Sequence, residues 1–160
     1  MARSLRLAIA IGLLAVLIVG TGTVVADGGG RGKILDTRLV GVPNPPVTIV
    51  GVNGAGAAWT TDGSRAKLFA DGRLDVEIEH LVFLTGANAG KNTIPQGRVT
   101  VVCNGTVRVN SEPIAFSIPD GNAEFNGRLA LPSPCFAPVI FFTSVGPSTA
   151  VGGNWFAVSG

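Results

Sequence analysis

The sequence predicts an all-β domain, an antiparallel β-sandwich preceded by an N-terminal signal helix. Three observations carry this. Short β-rich runs recur along the chain, each run is closed by Gly, Pro, Asn or Asp, and past the first 26 residues no segment sustains a capped helical period. The runs are ILDTRLVGV (34–42), VTIVGV (47–52), RAKLFA (65–70), RLDVEIEHLVF (73–83), RVTVVC (98–103), TVRVN (106–110), PIAFSI (113–118), AEFNGRLAL (123–131), PVIFFTSV (138–145) and NWFAVSG (154–160). Between them stand PNPP, NGAG, ADG, NG, PDGN, PSP and GPS. Even spacing of this kind fits an immunoglobulin-like or jelly-roll-like sandwich, with a barrel as the alternative.

The chain opens with Arg3 and Arg6, continues through an apolar stretch from Leu7 to Val19, and reaches small residues that end at Val24, Val25 and Ala26. That order is the order of a secretory signal peptide, and it predicts cleavage between Ala26 and Asp27. The competing reading is a retained membrane anchor, because the apolar region approaches the ~20 residues that a spanning helix needs. Arg3 and Arg6 are not adjacent, which argues against a twin-arginine signal. Residues 27–33, DGGGRGK, read as a flexible lead-in, and 34–160 as one β-domain.

Cleavage would remove two of the twelve basic residues and no acid, leaving ten basic against ten acidic side chains. A chain with no net positive charge is a poor binder of nucleic acid, whose affinity comes largely from phosphate neutralisation. The 134 residues that remain of the 160 suffice for one domain, which can bury roughly two thirds of its unfolded surface. Cys103 and Cys135 both lie in the exported part, and an oxidising compartment would most simply join them. Closing a loop of about 33 residues stabilises by roughly 3–4 kcal/mol in the chain-entropy model. There is no CxxC spacing for redox exchange, and one histidine with two distant cysteines is too few ligands for a closed zinc site.

The densest set of ionisable groups lies in KLFADGRLDVEIEH (67–80), where Asp75, Glu77 and Glu79 lead to the sole histidine, His80. With a two-residue Asp71-Gly72 loop, Leu68 would face Asp75 and charges would share a face with hydrophobes. A three-residue loop, Ala70 to Gly72, resolves the conflict. Lys67 then faces Asp75, Arg65 faces Glu77, and Ala66, Leu68, Leu74, Val76 and Ile78 share the opposite face. Residues two apart on a strand are about 6.5–7 Å apart, so Asp75 and Glu79 are roughly 13 Å apart and cannot chelate one ion. A solvent-facing charge ladder is therefore the expected role, and a metal or acid–base site the rival. The point to settle is a bulge at Glu79 and His80, because Leu81 and Phe83 would otherwise fall in the acidic row.

Other chemical readings are weaker. Gly51-Val52-Asn53-Gly54-Ala55-Gly56 resembles the start of a phosphate-binding loop, but Ala57 and Ala58 stand where Lys and Ser or Thr must follow, so no nucleotide is expected. Only His80 could serve as an imidazole base, and no GxSxG occurs. Any two of ten acids could form a glycosidase pair, which is too broad to point anywhere. Asn104-Gly105-Thr106 fits a glycosylation acceptor and, more simply, a hairpin turn. Among the large rings, Trp59 beside the glycine-rich loop is the candidate ligand contact, where an exposed indole could stack on a sugar; Trp155 reads as core.

The cysteine-bearing VTVVC, then FSIPDGNAEFNGRLALPSPCFAPVIFF and the closing NWFAVSG, resemble small exported bacterial proteins that carry a signal peptide and one β-domain. The similar segments cover roughly residues 59–160. The resemblance implies export, β structure, a bacterial source and a Cys103–Cys135 bridge; it transfers no functional residue. The expected protein is thus a secreted, non-catalytic extracellular or cell-surface module without cofactor, whose partner is an extracellular ligand or protein. A carbohydrate-binding module using Trp59 is the alternative, a metal-dependent or carboxylate hydrolase the lesser one, and membrane contact is expected only if residues 1–26 are retained.

Overall fold

The computed structural model of the chain describes residues 32–146 and 153–160. The signal peptide, its Ala26–Asp27 junction and residues 27–31 of the lead-in lie outside the described residues. Lys33, assigned from sequence to the lead-in, already belongs to the first strand. The strands in chain order are β1 (Lys33–Gly41), β2 (Thr48–Ile49), β3 (Val52–Asn53), β4 (Trp59–Thr60), β5 (Arg65–Phe69), β6 (Arg73–Ile78) and β7 (Val82–Phe83), followed by β8 (Gln96–Cys103), β9 (Val107–Asn110), β10 (Ile114–Ala115), β11 (Ala123–Arg128), β12 (Val139–Ser144) and β13 (Trp155–Ser159).

The described residues are all-β, and every long strand belongs to one antiparallel sheet curled into a half-barrel. Its order is β10-β8-β12-β13-β1-β5-β6-β11, with β9 also paired to β8. The curl turns on β1. Residues 33–38 of this strand pair with β5, whereas Leu39 to Gly41 pair with β13, so one strand serves both halves of the sheet. At the far ends, the Ser117 N–H donates to Asn122 O at 2.9 Å, so the turn after β10 leads directly back into β11.

Alternation decides what faces inward. On β5 and β6, Ala66, Leu68, Leu74, Val76 and Ile78 are all buried, and the intervening residues carry the charges. In the other half, Ile140 to Thr143 on β12 and Trp155 to Val158 on β13 are buried on both faces. Segment 42–58 lies against that half: Val42 N–H donates to Phe156 O, Ala55 N–H donates to Trp155 O, and Gly54 bridges Trp155. Aromatic rings fill the concave side. Trp59 packs on Phe83 (centroids 4.1 Å) and Phe156 (4.7 Å), and Phe116 meets Phe142 edge-on at 5.0 Å. Such contacts add to the area they bury, by about 0.5–1.5 kcal/mol per pair.

Two expected strands are broken by residues with positive φ. The run 47–52 folds as a hairpin instead, β2 to β3, around Val50 (φ 40°) and Gly51 (φ 77°). The run 73–83 stops at Ile78, and His80 takes φ 49°. The β-branched Val50 disfavours that region, and backbone bonds hold both kinks: Gly54 N–H to Val47 O in the first, Leu81 N–H to Gly121 O at 2.9 Å in the second.

Cys103 and Cys135 are joined as a disulfide with a Cα–Cα distance of 5.0 Å. The bridge ties the end of β8 to the loop before β12. Asn104, at φ 56° in the β8–β9 turn, reinforces it: its Oδ1 accepts from Phe136 N–H at 2.8 Å and its Nδ2 donates to Pro134 O at 3.3 Å. The NGT triplet is thus a structural turn whose carboxamide is engaged by the adjoining loop.

Candidate functional site

The charged face is built by the β5–β6 register. Arg65 pairs with Glu77, Ala66 with Val76, Lys67 with Asp75 and Leu68 with Leu74, which is the three-residue-loop arrangement. Gly72 supplies the left-handed residue at φ 84°, and its N–H donates to Phe69 O at 3.0 Å. No side chain fits there, because a Cβ on Gly72 would stand 2.2 Å from Leu129 O. Arg73 lies over the Phe69 ring at 3.7 Å beside the turn.

Neighbouring strands extend the pattern into two rows on the solvent side. One row runs Arg38, Arg65, Glu77, Glu124 across β1, β5, β6 and β11; the other runs Asp36, Lys67, Asp75, Asn126. Arg65 Nε meets Glu77 Oε2 at 3.0 Å with both side chains about half exposed, a pair worth about 0.2–1 kcal/mol. Lys67 sits in register between Asp36 and Asp75, and Asp36 forms its ion pair with Lys33. The hydrogen bond from Lys33 holds the Asp36 carboxyl below its ordinary value. At the turn, Asp71 accepts from Arg73 N–H at 3.0 Å and pairs with Arg128 Nη2 at 2.7 Å. The backbone donor first, and then the guanidinium, hold its carboxyl below the ordinary 3.8.

The ladder ends where the chain kinks at His80. The His80 N–H donates to Asn122 Oδ1 at 2.9 Å, and the positive φ turns Leu81 out of the acidic row into the core, where it is fully buried. The irregularity that the sequence left open is therefore present. Glu79 is pinned by its backbone: its N–H donates to Ser64 Oγ at 2.8 Å, and its carbonyl accepts from Thr61 Oγ1 at 2.6 Å and from Asp62 N–H at 3.1 Å. Thr61 and Ser64 are hydrogen-bonded to each other. Their hydroxyls are thus occupied by the backbone and are not poised as nucleophiles.

Beside the kink lies an open cleft of about 800 Å³, lined by Asp62, Glu77, Glu79, His80, Asn122 and Glu124 among others. It gathers Glu77, Glu79 and His80 from the KLFADGRLDVEIEH stretch but not Asp75, which stays on the ladder beside Lys67. Among the described residues no three of His, Cys, Asp and Glu converge closely enough to hold a metal ion. The imidazole is exposed, and among the described residues no side chain hydrogen-bonds its ring. What the cleft offers is a set of acceptors under a negative potential.

Trp59 requires a correction. It is only 3 % exposed, so its ring cannot stack on a sugar. The glycine-rich segment before it folds back along β13 and carries the indole into the aromatic core, against Phe83 and Phe156. Asp62, Asn122 and Glu124 were missed at the sequence level, since they come to the cleft from different turns and from β11, 15 or more positions away from Glu79. The phosphate-loop resemblance also dissolves, since Val50 and Gly51 form a hairpin turn and no helix follows. No protein-family model matches this chain, and no curated protein or solved structure matches it.

Two expectations follow from this geometry. The Asp71 carboxyl is held down only in the folded protein, so its contribution is complete above pH 3.8 and is lost as the pH falls through its lower folded value. Acid titration of Asp71→Asn should therefore show a shallower loss of stability in that range than the parent; identical acid limbs would remove Asp71 from the account. At His80, the left-handed backbone sets the order of substitutions. In urea unfolding, His80→Gly should equal or exceed the parent in stability, whereas His80→Val should lose about 1–2 kcal/mol of unfolding free energy. A valine variant as stable as the glycine one would contradict the kink.

Proposed function

We propose that this chain is an exported, single-domain, non-catalytic β-module, cleaved between Ala26 and Asp27, that binds an extracellular partner at the cleft beside His80. The observation that carries the binding reading is the lining of that cleft, where acceptors from β6, β11 and two turns surround an open space of about 800 Å³. Four carboxylates there (Asp62, Glu77, Glu79 and Glu124) favour a ligand that brings hydrogen-bond donors and positive charge, such as a Lys- or Arg-bearing segment of another surface protein. The Cys103–Cys135 bond is compatible with an oxidising compartment and supports export. The likeness to small exported bacterial proteins fits the same reading. In finer architecture, we take the two halves of the curled sheet as layers of a sandwich that share β1.

Glycan binding is the second reading, because sugar hydroxyls also donate to carboxylates. With Trp59 buried it would depend on polar contacts alone, without the aromatic platform that such sites use.

Titration with a Lys- and Arg-rich decapeptide at low salt tests the proposal. Binding should weaken as salt is raised and should be lost in Asp62→Asn/Glu79→Gln, while a neutral oligosaccharide panel stays unbound. Failure of the peptide to bind at low salt, or binding unchanged in the double variant, would remove the cleft from the function; oligosaccharide binding would shift the reading to the glycan.

A further inference from the structure

The row Arg38, Arg65, Glu77, Glu124 is divided by sign. The two arginines hold its β1–β5 end and the two glutamates its β6–β11 end, where the cleft lies. At the cationic end two like charges stand directly opposite each other, an arrangement that is unfavourable in a sheet. The Leu39 N–H donates to Ser64 O at 2.9 Å, one position after Arg38 on β1 and one before Arg65 on the other chain segment. Arg38 and Arg65 therefore exchange no backbone hydrogen bonds with each other. Pairs of this kind bring their side chains closest, with Cβ atoms roughly 4.5–5.5 Å apart.

The protein itself does not neutralise both charges. Arg65 spends its Nε on Glu77 at 3.0 Å, which leaves its Nη donors. Arg38 is exposed, and among the described residues its guanidinium enters no hydrogen bond, ion pair or ring contact. Asp36, two positions earlier on the same face, is engaged by Lys33 and stands opposite Lys67. The two arginines border an open space of about 420 Å³ together with Asp36, Thr37 and Gly63.

Gly63 divides this space from the cleft. Its neighbour Asp62 lines the cleft, while Gly63 itself lines the arginine side. The carboxylate of Glu79 occupies the place a side chain at 63 would take, since a Cβ there would stand 2.4 Å from Glu79 Oε2. Acceptors thus lie on one side of Gly63 and donors on the other.

We propose that Arg38 and Arg65 bind a carboxylate, and that the partner's segment carries Asp or Glu two positions from the Lys or Arg that enters the cleft. A carboxylate presents one oxygen to each guanidinium. It also matches the charge: Arg65 is already paired with Glu77, so one cation is left to balance, and Asp36 beside it disfavours a doubly charged phosphate. The centres of the two ends of the row are two strand spacings apart, roughly 9.5 Å. Side chains two positions apart on an extended segment leave it about 6.5–7 Å apart, and the flexible stem of Lys or Arg spans the difference. The kind of partner rests on the reading of the cleft; the carboxylate site does not.

Nuclear magnetic resonance of the arginine Nε–Hε groups in the oxidised protein at low salt tests the site alone. The peptide acetyl-Gly-Glu-Gly-amide should shift the Arg38 and Arg65 signals saturably, and Arg38→Gln should weaken its binding about tenfold or more. Because that substitution removes a like-charge opposition, the variant should be at least as stable as the parent in urea. A loss of stability would mark Arg38 as bound within the protein, against the proposal. No shift at either arginine, equal affinity in Arg38→Gln, or a response to inorganic phosphate alone would also overturn it, the last pointing to a phosphate group.

Two decapeptides test the link to the cleft, one bearing Lys-Gly-Glu and the other Lys-Gly-Gln. The parent should bind the first more tightly although its net positive charge is lower, and Arg38→Gln should reverse that order. The same order in both proteins would overturn the pairing of acid with base. If the glutamyl peptide binds and neither decapeptide does, the cleft reading fails and the carboxylate site stands.

Discussion

The fold depends on one short turn. Ala70 to Gly72 sets how Arg65–Phe69 lies against Arg73–Ile78, and a slip of one residue would send every side chain of β6 to the opposite face. With the three-residue turn, Leu74, Val76 and Ile78 enter the core and Asp75 and Glu77 leave it. The turn also reaches beyond its own hairpin. Gly72 O accepts from Leu129 N–H, and Asp71 binds Arg128, so the same few atoms set where β11 joins the sheet. Core and ladder thus share one determinant.

That determinant was legible in the sequence because two independent demands converged on it. Alternating polarity required one register, and the position of Gly72 permitted it. The disulfide was legible for a similar reason, since only two cysteines were available to pair. Breaks inside strands were harder to read. Val50 and His80 adopt positive φ although neither is glycine, and at His80 the bond that holds it comes from Asn122, 42 positions away. At His80 the misplaced hydrophobes Leu81 and Phe83 did announce the irregularity. Nothing comparable marked Val50.

The candidate site was legible only in part. Sequence density drew attention to Glu77, Glu79 and His80, and these do border the cleft; Asp75 does not, because its register neighbour is Lys67. The other side of the cleft comes from the turns and from β11, which no local pattern foretells. Trp59 shows the opposite failure. A neighbouring glycine-rich loop looked like exposure, yet that loop packs along β13 and delivers the ring to Phe83 and Phe156. Loop composition reports backbone freedom and leaves side-chain burial open.

The register of the β5–β6 hairpin is the claim on which the rest stands, and nuclear Overhauser contacts between α-protons test it directly. Closely spaced α-protons occur at the pairs that do not exchange hydrogen bonds. Contacts between Ala66 and Val76 and between Leu68 and Leu74 are predicted. Contacts linking Lys67 to Val76, or Leu68 to Asp75, would mean a two-residue turn, charged side chains facing the core, and an account of this protein that fails at its base.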